Sequence, residues 1–305
     1  MKACIDIGSN SIRLLIAKVF ESHIEPVYKK LTTTRLGKGI SEDGFLKEDS
    51  VISTINAIRE YIEISKKYGC NEIIAFATSA VREAKNKEEF LRKVKKAIGL
   101  DVLVISGEDE ARLSYKGART GLGLRGKAAV IDIGGGSTEI TYGEESPIES
   151  ESFKMGAVRW TQRFLKSDPP QKEEIESLYE EEKEMLKDFA LRFITFSRGE
   201  AKTVAVGGTA TTACAIKLGL AVYDWKRVHG QIISKEELVR ICEELLSLPL
   251  EDRRKIPGLM PERADIIITG LLILKNIMDI LEINEIVVSE SDLMEAILVD
   301  KFALM

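Results

Sequence analysis

Apolar residues recur along the chain with two different spacings, which predicts a mixed α/β fold. Residues 2–7 and 11–20 are largely apolar runs separated by a Gly-Ser-Asn turn, and a third, more polar run covers 23–36. We interpret them as three consecutive antiparallel strands. Between Ser50 and Tyr68 the apolar positions recur at helical spacing, so the fourth element is predicted to be a helix.

The rest of the first half alternates short β-like runs with helical segments. The predicted elements are a strand over 72–77, a helix over 87–98, a strand over 101–105 and a helix from about 107. Strands that alternate with helices indicate a partly parallel sheet covered by helices.

The second half opens on another strand and continues in the same manner. The predicted elements are strands over 127–133 and 138–142, a helix over 171–197, a strand over 202–206, helices over 234–248 and 264–281, a strand over 285–289 and a helix to 302. The Glu/Lys run of 171–197 is typical of a solvated helix face, so we assign it no chemistry. The apolar segment 264–281 contains Asp265, Lys275 and Asp279, which are costly in hydrocarbon, and we expect a core helix.

The beginning of the second half repeats the beginning of the first. Asp6 ends a hydrophobic strand, a turn of small residues follows, and a new strand begins; Asp132 stands in the same place before Gly-Gly-Gly-Ser. We therefore expect two related domains facing each other across a cleft, over residues 1–123 and 124–290. The helix at about 291–305 is expected to return to the first domain.

The composition narrows the function class. The formal net charge of −5 argues against a protein that coats nucleic acid, although it permits a local basic patch for another polyanion. Four scattered cysteines and two histidines indicate neither a zinc site nor a disulfide framework. The first apolar run is interrupted by Asp6 and is too short for a secretory leader, so we expect a cytoplasmic protein without a membrane span.

The two repeated turns carry the chemistry. Glycine-rich turns between strands let backbone N–H groups approach phosphate oxygens, while carboxylates such as Asp6 and Asp132 suit a divalent cation. The alternative is a pair of ordinary β-hairpins, with Gly at positive φ and Asp bonding the turn. Two matching copies favour phosphate binding.

Eight ordered segments resemble the exopolyphosphatase/guanosine pentaphosphate phosphohydrolase family of the sugar kinase, Hsp70 and actin superfamily. Four of them are IDIGSNSIRLLI (5–16), ATSAVREAKN (77–86), ISGEDEARLSYKGA (105–118) and IDIGGGSTEI (131–140). The others are MGAVRWTQRFL (155–165), VGGTATTACAI (206–216), VHGQIISKEEL (228–238) and MPERADIIITGLLIL (260–274). The resemblance implies two actin-like (ribonuclease H-like) α/β domains with a cleft between them.

The resemblance also implies roles for individual residues. Glu110 would be the general base toward the attacking water, and Arg82 would contact phosphate oxygens. Asp132 and Glu139 would hold Mg²⁺ or Mn²⁺, with Asp6 nearby. The phosphate loops would consist of Gly8, Ser9, Asn10, Ser11, Gly134, Gly135, Gly136, Ser137 and Thr138.

Alternative interpretations stay open for several of these residues. Glu108, Asp109 and Glu110 together are also typical of a helix N-terminus stabilised through the helix dipole. Gly207, Gly208 and Thr209 resemble the adenosine loop of the superfamily, but they equally fit a compact strand-to-helix connection.

The chain departs from the family pattern in three places. Asp109 replaces a glutamate that precedes the proposed base, and Asp292 and Ala296 replace glycines near the C-terminus. The sequence also stops at Met305, so we expect the further helical domain of longer relatives to be missing.

The sequence favours hydrolysis of inorganic polyphosphate, with guanosine pentaphosphate (pppGpp) as the alternative substrate. A second hypothesis is an actin-like ATPase or kinase of the same superfamily, and a third is a polyphosphate or nucleotide sensor without turnover. The joint presence of Glu110, Asp132 and Glu139 favours the enzyme. A homodimer is compatible with the sequence.

Overall fold

The chain consists of two compact units. A computed structural model describes residues 1–20, 23–40, 43–198 and 201–302. Unit 1 comprises Met1–Leu113 and the segment from Leu293 onward, and unit 2 comprises Ser114–Asp292. Within those described ranges, none of the helices combines the length and the apolarity needed to cross a membrane. The last residues of the predicted C-terminal segment, 303–305, lie outside the described ranges.

Strands and helices alternate in both units. The strands are β1 (Lys2–Ile7), β2 (Ser11–Val19), β3 (Ile24–Thr33), β4 (Glu72–Ala77), β5 (Val102–Val104), β6 (Ala128–Ile133), β7 (Thr138–Gly143), β8 (Pro147–Phe153), β9 (Lys202–Val206), β10 (Ile232–Ser234) and β11 (Glu285–Val288). The helices are α1 (Glu48–Lys67), α2 (Ser79–Glu83), α3 (Lys87–Ile98), α4 (Gly107–Leu122), α5 (Ala157–Phe164), α6 (Lys172–Ser197), α7 (Gly207–Lys217), α8 (Trp225–Val228), α9 (Lys235–Leu246), α10 (Leu250–Arg253), α11 (Ile267–Ile280) and α12 (Leu293–Phe302), with a 3₁₀ turn at Pro261–Arg263.

The two sheets have the same strand order. In unit 1 the order is β3-β2-β1-β4-β5, with β1 to β3 antiparallel and with β4 and β5 parallel to β1. In unit 2 the order β8-β7-β6-β9-β11 repeats this arrangement, and β10 adds one antiparallel edge strand. The predicted fold class, two actin-like (ribonuclease H-like) α/β domains, is confirmed.

Side-chain alternation along β1 places Asp6 on a particular face of the unit 1 sheet. Ala3, Ile5 and Ile7 point into the core that also contains residues of α1. Cys4 points to the opposite face, where it packs with apolar residues of α12. Because side chains alternate along a strand, Asp6 shares the Cys4 face.

The same argument places Asp132 in unit 2. Ile131 and Ile133 belong to the large core of this unit. Val130 points the other way and packs with Tyr115 of α4. Asp132 therefore lies at the end of β6 on the face that α4 covers.

Helix α4 begins in unit 1 and ends in unit 2. The division falls between Leu113 and Ser114, before the boundary at residue 123 that the sequence suggested. The reason is packing, because Tyr115 and Ala118 already belong to an apolar cluster of unit 2.

Helix α12 packs on the unit 1 sheet, where it contacts β1, β2 and β3. An ion pair fixes it there, with 3.0 Å between the Lys29 ammonium and the Glu295 carboxylate.

Candidate active site

The turn between β1 and β2 is tight and well anchored. The N–H of Gly8 donates to the carbonyl of Ser11 over 3.1 Å, and a Cβ on Gly8 would lie 2.8 Å from that oxygen, so only glycine fits. The N–H groups within residues 34–37 donate to the carbonyls of Ser9 and Asn10 over 2.7 to 3.1 Å. Because these carbonyls are engaged, the turn can offer N–H groups to an anion.

The turn between β6 and β7 repeats this geometry. The N–H of Gly134 donates to the carbonyl of Ser137 over 2.9 Å, as Gly8 does to Ser11. The sequence repeat is therefore a structural repeat, with one glycine-rich hairpin loop in each unit.

The carbonyl groups of the second loop are engaged by α5. The N–H groups of residues 157–159 donate to the carbonyls of Gly134 and Gly135 over 2.9 to 3.0 Å. The Nε of Arg159 donates to the Gly136 carbonyl over 2.7 Å. Gly156 makes this approach feasible, because a Cβ there would lie 2.6 Å from the Gly135 carbonyl oxygen.

The side chains of the two loops are not equally available to a ligand. Ser137 and Thr138 are both buried, and the Thr138 hydroxyl donates to the Met155 carbonyl over 2.6 Å. Asn10 donates to the Ser11 hydroxyl over 3.1 Å. The Thr138 side chain thus stabilises the loop, and a bound anion would meet the backbone there.

The strand-end aspartates have different neighbours in the two units. Directly opposed residues of an antiparallel pair share a face, and the residue opposite Asp6 is Arg13. The Nε and Nη2 of Arg13 donate to Asp6 Oδ2 over 2.8 and 2.6 Å. The residue opposite Asp132 is Glu139, so two carboxylates of like charge share one face there.

In the unit 2 sheet, a residue of a third strand lies next to the opposed pair Asp132 and Glu139. Ser152 of β8 lies opposite Glu139 and donates its hydroxyl to Glu139 Oε1 over 2.6 Å. On the other side, Ser114 of α4 donates to Asp132 Oδ2 over 2.6 Å. Serine hydroxyls therefore hold one oxygen of each carboxylate.

A hard divalent cation suits this carboxylate pair. Carboxylate oxygens are the preferred protein ligands of Mg²⁺, which is commonly bound by one or two of them together with water and substrate phosphates. Glu139 is buried and Asp132 is half-buried, so a bound cation would also offset the like charges of the pair. Among the side chains within the described ranges, no group of three or more His, Cys, Asp or Glu is placed to hold a metal ion.

The three acids at the start of α4 have distinct environments. Ser106 caps the helix, because its hydroxyl accepts from the Asp109 N–H over 3.0 Å and donates to the Asp109 carboxylate over 2.9 Å. Glu108 is exposed, whereas Glu110 is buried. A role at the helix N-terminus thus explains Asp109, but it does not explain why Glu110 is buried.

Glu110 is paired with Arg82. The Nη1 of Arg82 donates to Glu110 Oε2 over 2.8 Å and to the Ile105 carbonyl over 3.1 Å. Unit 1 therefore brings together the predicted base and the predicted phosphate-binding arginine. The charge-assisted bond fixes the orientation of this carboxylate.

Gly207 leaves room for a neighbouring side chain. It has φ +80°, and a Cβ there would lie 2.8 Å from Asp132 Oδ1. The need for glycine therefore comes from the backbone conformation and from Asp132.

Gly208 and Thr209, which follow Gly207, also pack closely on other residues of unit 2. The guanidinium of Arg263 occupies the space over Gly208, and its Nη1 donates to the Gly208 carbonyl over 3.2 Å. Thr209 is buried and packs on Gly270, where a Cβ would lie 2.6 Å from the Thr209 hydroxyl oxygen. These contacts favour the compact connection over the adenosine loop.

The sequence analysis did not single out Ser114, Ser152, Arg159 or Arg263. Two signals pointed to the serines: Ser114 lies one helical turn after Glu110, and Ser152 follows from the β7–β8 register once β8 is known. The arginines have no comparable local signal, because each contacts a loop that is distant in sequence.

Comparisons with known proteins agree with this geometry. The model of the Ppx/GppA phosphatase family matches residues 15–304. Exopolyphosphatase 2 of Mycobacterium tuberculosis is 32% identical over 97% of this chain and 96% of its own length. The bifunctional 3-dehydroquinate synthase/phosphatase of Fusobacterium nucleatum is 35% identical over 98% of this chain, which spans only 46% of that longer protein.

A solved structure supports the same assignment. The crystal structure of the Aquifex aeolicus Ppx/GppA family member has a TM-score of 0.80 and 33% identity, and covers 98% of this chain and 96% of the Aquifex chain. The family match over residues 15–304 includes the second glycine-rich loop and the segment with Glu110. The chain therefore belongs to the Ppx/GppA phosphatase family.

Proposed function

We propose that this chain is an exopolyphosphatase that releases terminal orthophosphate from inorganic polyphosphate. The observation that carries the proposal is the pair of opposed carboxylates, Asp132 and Glu139, beside a glycine-rich loop. This loop has the same hydrogen-bond geometry as the loop in unit 1. Phosphoryl transfer to water needs charge neutralisation and positioning, and no covalent nucleophile. The family assignment fits this chemistry.

Glu110 is the base in the proposed reaction. Its carboxylate accepts the proton of the attacking water as the water oxygen bonds to the terminal phosphorus and the bridging oxygen leaves. Arg82 holds one oxygen of Glu110 and has further N–H groups for phosphate oxygens. The backbone N–H groups of the loops at Gly8–Ser11 and Gly134–Ser137 hold phosphate oxygens.

We assign the divalent cation to Asp132 and Glu139, and Mg²⁺ or Mn²⁺ fits their oxygen ligands. Such a cation, when bound, neutralises phosphate charge and polarises the bond to the leaving oxygen. Asp6 keeps its bond to Arg13 in this proposal. Its role is to balance the arginine charge at the first loop.

Two observations favour polyphosphate over a nucleotide. Arg263 covers Gly208, so a base at this loop would have to displace the guanidinium. Thr209, the third residue of the predicted nucleotide loop, is buried against α11. Hydrolysis of pppGpp remains the alternative within the same family, and an ATPase or kinase is less well supported.

The proposed compartment is the cytoplasm. Cys4, Cys70, Cys214 and Cys242 are not joined in disulfide bonds, which fits a reducing environment.

A substrate comparison tests the proposal. Purified protein with Mg²⁺ is incubated with long-chain polyphosphate, pppGpp or ATP, and released orthophosphate is measured. We expect polyphosphate to have the highest kcat/KM and excess EDTA to abolish release. Preferential hydrolysis of pppGpp would favour the alternative substrate, and full activity in EDTA would exclude the cation site.

A further inference from the structure

Ser114 donates its hydroxyl to a partner that a helical serine rarely reaches. Serine and threonine hydroxyls inside helices commonly donate to the carbonyl four residues earlier. In the part of the chain that the structure describes, examples are the hydroxyls of Thr54, Ser65, Thr161, Ser177, Thr195 and Thr211. Ser114 donates to Asp132 Oδ2 over 2.6 Å, on a strand that is 18 residues further along the chain.

The environment of Ser114 makes this bond strong. The residue is 1% exposed, so water competes poorly for the carboxylate oxygen that it holds. A hydroxyl has a single hydrogen to donate, and a bond from a hydroxyl to a carboxylate is short and charge-assisted. The 2.6 Å separation fits that description.

The bond restricts how Asp132 presents its other oxygen. With Oδ2 held by Ser114, the carboxylate cannot rotate without breaking this part-buried hydrogen bond. Oδ1 lies over Gly207, where a Cβ would be only 2.8 Å away. The hydroxyl on one side and the bare backbone of Gly207 on the other therefore define one orientation of the carboxylate.

We infer that Ser114 is a positioning residue that orients Asp132 for the divalent cation. The inference rests on the cation site proposed above and deepens it by naming the group that sets its affinity. Groups that hydrogen-bond to a metal ligand typically change metal affinity or activity by about 10- to 100-fold when removed. Ser114 would act on the cation through Asp132, without touching substrate.

Ser152 provides an internal comparison. It holds Glu139 through the same kind of bond, with an oxygen separation of 2.6 Å. Unlike Ser114, however, it lies on the exposed side of β8. Water can replace an exposed hydroxyl, so we expect Ser152→Ala to weaken cation binding less than Ser114→Ala does.

The experiment measures cation binding without turnover. Free Mn²⁺ is titrated by its electron paramagnetic resonance signal against the full chain, for the wild type, Ser114→Ala, Ser114→Thr and Ser65→Ala. Ser65 is a matched control, because it is a buried helical serine whose hydroxyl donates to the Tyr61 carbonyl. Thermal unfolding without metal is recorded for each variant.

We expect Ser114→Ala to weaken Mn²⁺ binding by about 10- to 100-fold, and Ser114→Thr, which keeps the hydroxyl, to restore it. Ser65→Ala should change the unfolding temperature and leave the Mn²⁺ affinity unchanged. Wild-type affinity in Ser114→Ala, or equal losses in the Ala and Thr variants, would overturn the inference alone. A wild type that fails to bind Mn²⁺ would overturn the proposed cation site as well.

Discussion

At the residue scale, the partner across the hairpin decides what each strand-end aspartate can do. Asp6 faces an arginine and Asp132 faces a glutamate, although the two sequence motifs look alike. The arginine supplies the charge that Asp6 needs. At the equivalent position unit 2 has Glu139, and we assign the cation there because two neighbouring carboxylates offer the oxygen ligands that it prefers.

Exchanging each aspartate for asparagine should have opposite consequences. We expect Asp132→Asn to abolish Mn²⁺ binding and turnover with a small change in unfolding temperature. Asp6→Asn removes the carboxylate charge from the Arg13–Asp6 ion pair and should cost up to about 3 kcal/mol of stability, the low end for a broken buried ion pair. Calorimetry of Mn²⁺ binding and thermal unfolding of both variants measure this. Loss of Mn²⁺ binding in Asp6→Asn would return Asp6 to the ligand set.

Glu182 shows what the sequence could not reveal about the charged helix α6. The Glu/Lys run predicted a solvated face, yet Glu182 is 0% exposed and accepts from the Asn276 amide over 3.0 Å. Burial raises the pKa of Glu182 well above its ordinary value of 4.5, and nearby Asp279 raises it further while Asn276 and Lys275 oppose the shift. Periodicity alone cannot identify which glutamate of a charged run turns inward.

The raised pKa of Glu182 makes stability depend on pH. Between the unfolded pKa near 4.5 and the higher folded pKa, the native state binds the extra proton, so stability falls as pH rises. Glu182→Gln cannot ionise and should lack this loss. We expect its unfolding temperature, relative to the wild type, to increase with pH across that window. The control is Glu180→Gln at an exposed position; parallel curves for all three proteins would contradict the prediction.

At the element scale, the inner strands and long helices were predictable, and an edge strand was not. Strands β1 and β6 are nearly continuous apolar runs in the sequence, because both faces of each strand are covered. Strand β8 has the sequence PIESESF and only β7 as a neighbour, so it carries no apolar signal of its own. Its existence depends on pairing with β7, which single-sequence periodicity cannot report.

Glycines on α4 reveal a contact that helix propensity would never suggest. A Cβ on Gly117 would overlap the Asp292 carbonyl, and one on Gly121 would overlap Ser291. Glycine inside a helix costs about 1 kcal/mol relative to alanine. The close approach of segment 291–292 explains why α4 tolerates that cost.

Gly117→Ala should therefore destabilise the protein despite the better helix former. The overlap is with backbone, so overpacking of about 1 to 3 kcal/mol should outweigh the propensity gain. Thr120→Ala, at an exposed position of the same helix, is the control and should be neutral or slightly stabilising. Chemical denaturation of both variants distinguishes the effects. A more stable Gly117→Ala would show that the segment moves away at little cost.

At the scale of the whole molecule, the strand order β3-β2-β1-β4-β5 of unit 1 is repeated in unit 2 as β8-β7-β6-β9-β11. The repeated Asp-Ile-Gly motif was enough to predict this duplication. The motif could not predict that the two copies have different proposed roles, because both begin with the same Asp-Ile-Gly sequence. The residue opposite the strand-end aspartate is Arg13 in unit 1 and Glu139 in unit 2. The two units also receive different residues from α4, which carries Glu110 in unit 1 and Ser114 in unit 2.

We propose that Glu110 activates the water that cleaves the terminal phosphoanhydride bond. The direct measurement is kcat for orthophosphate release from saturating long-chain polyphosphate with Mg²⁺, compared between the wild type and Glu110→Gln. Glu108→Gln and Asp109→Asn are matched controls, because both residues are exposed and the carboxylate of the second accepts from the capping Ser106. We expect Glu110→Gln to lower kcat by about 10²- to 10⁴-fold with little change in polyphosphate affinity, and both controls to stay near the wild type. Wild-type kcat in Glu110→Gln, with the loss at Asp109→Asn instead, would contradict the assignment.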